Sequence, residues 1–251
     1  MLHQFSRNQL AIGQDGLDLM KGATVAVLGI GGVGSFSVEA LARSGVGKLI
    51  LIDKDDVDIT NINRQIHSLM STIGQSKVDL MADRVKDINP DCEVVRLHMF
   101  YTDETYERLF EHDLDFVVDA SDTISFKIHL IKQCIDRDIN IISSMGAANK
   151  MDPTKFEIAN IFDTSYDPIA RVIRTKLRKE GYKKGIPVVF SKEQPIKIRE
   201  DVRQEITPDN PNTRKAEQPP SSNAFVPSVA GLIMASHVVQ EILKPITIER
   251  Y

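Results

Sequence analysis

Thr24-Val25-Ala26-Val27-Leu28 runs straight into Gly29-Ile30-Gly31-Gly32-Val33-Gly34, and a helical pattern opens at Ser35 and continues to Arg43. A buried strand, a G-x-G-x-x-G turn and a helix in that order restrict the chain to a wound α/β sheet. The glycines allow a tight turn and close approach of backbone. The helix start then offers unpaired N–H groups and a positive dipole end to a phosphate. Lys48 to Asp53 reads as the second strand, and Asp53 ends it nineteen residues after Gly34, where a carboxylate can accept from ribose hydroxyls.

The alternation continues. Ser76 to Ile88 is amphipathic, with Ser76 as N-cap and Asn89-Pro90 as the stop. Glu93 to Leu97, Asp115 to Asp119 and Asn140 to Ser143 supply further strands, with a helix from Thr123 to Arg137. The expected fold is α/β and Rossmann-like, a mostly parallel sheet with helices on both faces, plus a C-terminal α+β extension. We place the nucleotide-binding domain at 1–153 and the extension at 154–251. In the extension, Lys155 to Ile161 predicts a strand and Asp167 to Lys179 a helix. Lys183 to Ser222 predicts loop and edge strand, and Ser228 to Leu243 an apolar helix returning to the sheet.

Composition excludes other classes. The chain of 251 residues is 42% hydrophobic and 26% charged with a formal charge of −4, ordinary values for a globular protein. Its two cysteines, Cys92 and Cys134, can form neither a disulfide framework nor a C-x-x-C zinc pair. The first residues lack an apolar signal region. The stretch Val226 to Leu243 is broken by Pro227, Ser236 and His237, too polar to span a bilayer. The expectation is a reduced, soluble, cytoplasmic protein.

The segment beyond Asp53 argues against a dinucleotide. Asp55 leads toward Thr60-Asn61-Ile62-Asn63-Arg64-Gln65, and Lys77 comes thirteen residues after Arg64. A pyrophosphate between two nucleosides is served by the helix terminus; a triphosphate being cleaved accumulates charge that an added Arg and Lys offset. Asp122, just past the strand ending at Asp119, suits a Mg²⁺ that takes few carboxylates and fills its shell with phosphate and water. Singly, Lys77 reads as a solvated helix lysine and Asp122 as a helix cap. Together they point to ATP.

These residues, Gly29, Gly31, Gly32, Gly34, Asp53, Asn61, Arg64, Gln65, Lys77 and Asp122, resemble the ubiquitin-activating-enzyme-like superfamily of adenylating enzymes. The resemblance implies that Asp53 binds ribose, with Asp55 and Gln65 beside the nucleotide. Asn61, Arg64 and Lys77 would contact phosphates, Asp122 would position the metal, and Arg7 would enter the ATP site of a dimer partner. For Arg7, a solvated terminal residue is an equal reading of the sequence alone.

Carrier-activating members of that superfamily have two C-x-x-C zinc pairs and many have a working cysteine; nothing after Cys134 is a cysteine here. Cys134 reads as a buried hydrophobe on the Ile128-Ile131-Ile135 helix face. The interval 171–215 carries thirteen Lys/Arg against six Asp/Glu, and Arg171, Arg174 and Arg178 recur on one helix face, extended by Lys176, Lys183 and Lys184. Such a patch suits a nucleic-acid backbone, although a charge run is more often a solvated face.

The runs Asn63 to Leu69, Asp87 to Cys92, Gly146 to Pro153 and Asp167 to Arg171 resemble the tRNA threonylcarbamoyladenosine dehydratase branch. That resemblance implies ATP-dependent cyclisation of N6-threonylcarbamoyladenosine in tRNA, through adenylation of its threonyl carboxylate. The apolar faces of the helices Ser35 to Arg43 and Ser76 to Ile88 exceed what one sheet covers, and with Arg7 needing a partner subunit they predict a homodimer. The resemblance also carries with it a monovalent cation and sulfur-transfer partners that no residue here identifies. The alternative is adenylation of the C-terminal Gly-Gly carboxylate of a small sulfur-carrier protein.

Overall fold

A computed structural model describes residues 2–206 and 219–248. Among the described residues, seven strands form one sheet in the order β3-β2-β1-β4-β5-β7-β6. They are β1 (Thr24–Leu28), β2 (Lys48–Asp53), β3 (Glu93–His98), β4 (Phe116–Asp119), β5 (Asn140–Ser144), β6 (Phe156–Asn160) and β7 (Pro187–Ser191). All neighbours are parallel except β6, which runs antiparallel to β7.

The central strands are apolar without alternation because both faces are covered. Val25, Val27, Leu49 and Leu51 face one core, shared with α2 (Gly34–Arg43), α3 (Lys77–Ile88) and α8 (Val226–Ile242). Ala26, Leu28, Ile50 and Ile52 face the other, covered by α5 (Ile124–Asp136) and α6 (Pro168–Lys179). The expected Ser76 cap forms, its hydroxyl accepting from the Asp79 N–H; Asp167, read from the sequence as the first residue of its helix, instead caps it by accepting from the Ala170 N–H.

Helix α8 returns to the sheet by lying against α2. Ser37 Oγ donates to the Gly231 carbonyl at 2.9 Å. A Cβ on Gly231 would lie 2.1 Å from the Val33 carbonyl oxygen, so only glycine permits this approach.

Three elements depart from the sequence reading. The strand expected at an edge, β7, is interior; the edge is β6, whose burial alternates while β7 is buried from Val188 to Ser191. Pro187, lacking an N–H, takes the first position of β7, where a proline is tolerated. An N-terminal helix, α1 (Ser6–Gly22), bends at Gly13 (φ 68°) and buries only Gly16 and Met20, which leaves almost no apolar stripe to read. Within the predicted loop lie α7 (Glu200–Ile206) and a direct run from Pro219 into α8; 207–218, including Arg214 and Lys215 of the basic interval, lie outside the described residues. One short helix, α4 (Glu107–Phe110), precedes β4.

Candidate active site

The strand order reverses direction between β1 and β4, and the crevice that opens at their carboxyl ends is where α/β sheets take ligands. Register brings Leu28, Ile52 and Asp119 level, so Gly29, Asp53 and Ala120 emerge together. The Gly29 N–H donates to the Ile52 carbonyl at 2.8 Å and the Ala120 N–H to Leu28 at 2.9 Å. Gly29 has φ +88°, and a Cβ there would lie 2.8 Å from the Ala120 oxygen. Asp53 is tied to the loop it serves: Oδ2 accepts from the Ile30 N–H at 2.6 Å and Oδ1 from Asp55 at 2.9 Å.

The segment from Asp58 to Ser68 folds over this loop. Asn61 is buried and accepts from the Asp58 N–H at 3.1 Å, closing a one-turn cap. The Gln65 amide and the Arg64 stem cover Gly31 and Gly32, and Pro227, at the start of α8, also packs against Gly32. Arg64 Nη1 donates to Thr60 O and Asn63 Oδ1. Burial lowers the Arg64 guanidinium from its ordinary value, but an arginine stays charged in a protein. Lys77, the first residue of α3, is buried with its Nζ 3.3 Å from Asp55 Oδ2. Burial alone would raise the Asp55 carboxyl; the neighbouring ammonium groups of Lys54 and Lys77 outweigh it and hold the carboxyl below its usual range. Asp122 is exposed just beyond β4; the bond to Asp55 chiefly holds the Lys54 ammonium above its ordinary pKa, and the charges of Asp53 and Asp122 add to this.

A strap ties this half to the loop after β5. Asn63 donates to the Ser222 carbonyl at 3.0 Å, Asn149 Oδ1 accepts from the Ser221 N–H at 2.8 Å, and Asn223 donates to the Lys150 carbonyl at 2.8 Å. Of the predicted residues, then, the four glycines, Asp53, Asp55, Asn61, Arg64, Gln65, Lys77 and Asp122 converge on one crevice. Arg7 does not join them within one chain. Its neighbour Asn8 is bonded to the Arg43 carbonyl, at the end of α2 opposite the phosphate loop.

The basic residues spread along α6 rather than cluster at the crevice. The Asp167 carboxylate accepts from Gly146, just past β5, so α6 begins at the ligand edge. It ends at the opposite edge, where Tyr182 bonds Asp136 and Lys184 pairs with Asp138. Arg171, Arg178 and Lys183 are exposed. Arg174 is turned inward, with Nη1 donating to the Thr164 carbonyl at 2.9 Å, and Lys176 pairs with Glu180 at 3.5 Å. Arg174 therefore braces the helix instead of extending the patch.

Among the buried polar groups that sequence reasoning missed are Lys127 and His67. Lys127 is buried against Asp119, although it shares the i, i+3, i+4, i+7 stripe with Leu130, Ile131 and Cys134 that marks the covered face of α5. Ile128 and Ile135, expected on that face, are only partly covered. His67 is 5% exposed, and neither ring nitrogen has a hydrogen-bond partner among the described residues. Burial, with the charges of Lys77 and Arg84, pushes its pKa down from 6.5 to about 4. The unfolded chain therefore takes up a proton below pH 6.5 that the native state refuses. Stability present at neutral pH is lost as pH falls from 6.5 toward 4, by about 2 kcal/mol between pH 7 and 5. Urea unfolding at both pH values should show this drop in wild type and a shallower one in His67→Phe; equal drops would remove His67 as its source.

A glycine-rich turn between β1 and α2, a carboxylate at the end of β2 and an Arg–Lys pair lie together at the switch point of a parallel sheet, an arrangement that suits a nucleotide-binding enzyme of the adenylating class. The ThiF family is matched over residues 5–250, and the chain belongs to that family. It is 68% identical over 250 residues to the tRNA threonylcarbamoyladenosine dehydratase of Bacillus subtilis (strain 168), covering 100% of this chain and 98% of that protein. To the Escherichia coli (strain K12) protein of that name it is 32% identical over 241 residues, covering 92% and 90%. The crystal structure of E. coli tRNA N6-threonylcarbamoyladenosine dehydratase, TcdA, in complex with ATP superposes with a TM-score of 0.84 at 30% identity, over 96% of this chain and 94% of that one.

Proposed function

We propose that the chain is an ATP-dependent tRNA threonylcarbamoyladenosine dehydratase. The observation that carries the chemistry is the convergence of Asp53, Arg64 and Lys77 on the phosphate loop while both cysteines are buried away from it. Burial raises the Cys92 thiol to about 11 and pushes Cys134 up further, so neither supplies a thiolate. Chemistry that ends without an enzyme thioester fits a substrate carrying its own nucleophile, which disfavours the sulfur-carrier alternative.

In this reading the threonyl carboxylate attacks the α-phosphate of ATP and pyrophosphate leaves. Arg64 and Lys77 offset the negative charge that grows on the phosphates. The carbamoyl nitrogen or oxygen of the same modification then attacks the acyl carbon, its proton is released and AMP departs. The nucleoside has lost one water. Because both reacting groups sit on one nucleoside, proximity supplies much of the rate.

Asp122 is an exposed oxygen donor beside the phosphate loop, and among the described residues no trio of His, Cys, Asp or Glu forms a metal cage. That donor set fits Mg²⁺, which takes phosphate and water for most of its ligands and supplies charge to the leaving pyrophosphate. Residues 1–153 would serve the nucleotide and 154–251 the tRNA. Arg7, displaced from its own crevice, would complete the site of a second copy, so the active species is a homodimer. No helix among the described residues is long and apolar enough to cross a membrane, and a cytoplasmic location would suit a tRNA substrate.

The test is pyrophosphate release with tRNA carrying or lacking the threonylcarbamoyl group, followed by nucleoside mass. Release only with modified tRNA, and a nucleoside lighter by one water, supports the reading; release only with a Gly-Gly carrier overturns it. The exposed ends of the basic stripe give a second expectation. Arg171→Glu with Lys183→Glu should weaken tRNA binding about 10-fold near 0.1 M salt and reduce its log–log salt slope by about 2. Titrations at three ionic strengths check this, and an unchanged slope removes the stripe from the interface.

A further inference from the structure

Beneath the crevice, Asp119 at the end of β4 and Lys127 in α5 form an ion pair whose side chains are 0% and 2% exposed, at 3.0 Å between Nζ and Oδ2. Ser143 Oγ, from the end of β5, donates to the same Oδ2 at 2.6 Å, and Lys127 Nζ reaches the Asp119 carbonyl at 3.4 Å. The other carboxylate oxygen accepts from the Ser121 N–H at 3.2 Å and the Ser121 hydroxyl at 2.7 Å. Asp119 thus binds the turn that follows it on one side and two neighbouring elements on the other.

That turn touches the nucleotide machinery at two points. Ala120 is wedged against the phosphate loop: a Cβ on Gly29 would be 2.8 Å from its oxygen, and one on Gly34 3.2 Å from its Cβ. Two residues further on the turn presents Asp122. A buried ion pair adds little net stability over an apolar pair of the same size, because both charges lose their hydration. The surroundings, Leu130, Ile131 and Cys134, would suit an apolar residue at 127. The pair supplies a single geometry instead.

We propose that Lys127 is a positioning residue: acting through Asp119, it sets the 119–122 turn so that the phosphate loop and the Asp122 carboxylate meet Mg²⁺–ATP in register. This role rests on the adenylation reading. Lys127 is too deeply buried to touch substrate, so its effect must pass through the turn. Partners of this kind, one layer behind a metal carboxylate, are worth about 10- to 100-fold in metal affinity or activity.

The test uses the full-length protein and calorimetric ATP titration with excess EDTA or with Mg²⁺, beside thermal unfolding. Lys127→Met strands a buried carboxylate and lowers the unfolding midpoint; Lys127→Met with Asp119→Asn removes both charges and restores most of it. The double variant should bind ATP within about 2-fold of wild type in EDTA yet lose about 10-fold of the tightening that Mg²⁺ brings, with kcat for pyrophosphate release falling in parallel. Ser143→Ala, which keeps the pair and removes one hydroxyl, should give a smaller loss of the same kind. A double variant that regains its stability and keeps the wild-type Mg²⁺ response and kcat would overturn the proposal, leaving the pair a purely structural strut. If wild type itself shows no Mg²⁺ response and no pyrophosphate release, the adenylation reading fails and the positioning role falls with it.

Discussion

Replacing Lys77 by Met is expected to lower kcat for pyrophosphate release by about 10²- to 10³-fold, the usual effect of removing one preorganised group from a site of developing charge. Lys77 Nζ is buried at the start of α3 and rests on Asp55, so the ammonium is in place before the nucleotide arrives. A triphosphate entering the crevice would compete with Asp55 for it. The loss should therefore fall mainly on kcat, because charge on the phosphates grows as the bond to the leaving pyrophosphate lengthens. Lys77 lies away from the α6 stripe, so tRNA affinity should stay within about 2-fold of wild type, since phosphate contacts elsewhere carry it. Steady-state pyrophosphate release and filter binding of modified tRNA separate the two quantities. A kcat within about 3-fold of wild type, far short of the effect of a lost donor, would take Lys77 out of the mechanism.

Gly34→Ala should weaken ATP binding by about 100-fold, because the phosphate loop depends on close backbone approach. The added Cβ would lie 1.8 Å from the Gly29 carbonyl oxygen and 2.9 Å from its carbon, both backbone atoms that no rotamer change can move aside. Gly29 must then shift, carrying with it the amides of the loop and its contact with Ala120. The sheet and helices outside the loop are untouched, so the protein should still fold, destabilised by about 1–3 kcal/mol as for an overpacked core site. Calorimetric ATP titration and thermal unfolding on the same sample check both parts. Binding at wild-type strength would show that the loop tolerates a wider turn than this geometry allows.

Much of the crevice was legible because its signals are local. The strand ending at Leu28, the glycine turn and the start of α2 are contiguous, and their chemistry follows from backbone freedom and a helix terminus. Ser76 announces its helix by capping, an interaction spanning three residues. Arg64 and Lys77 were recognisable through spacing within segments whose ends meet at one edge of a parallel sheet. By contrast, β7 was misplaced because the order of strands in a sheet depends on which edge a distant segment reaches. The α1 helix escaped notice because its chain is interrupted by glycines and buries only two residues.

The sequence by itself determined the parallel sheet, the glycine turn between β1 and α2 and the residue types gathered at the crevice, since each is written in short contiguous stretches. Tertiary structure alone decided what distant side chains do to one another. It turned Arg174 toward Thr164 and out of the basic face, and it tied Asn8, next to Arg7, to the end of α2 far from the glycine turn of its own chain. It also sank Lys127 onto Asp119 beneath the site. A lysine or arginine on a helix reads the same from its neighbours whether it meets water, a carbonyl or a buried carboxylate. The choice is made by what the rest of the chain packs against it, because the free energy of a charge is set by its surroundings.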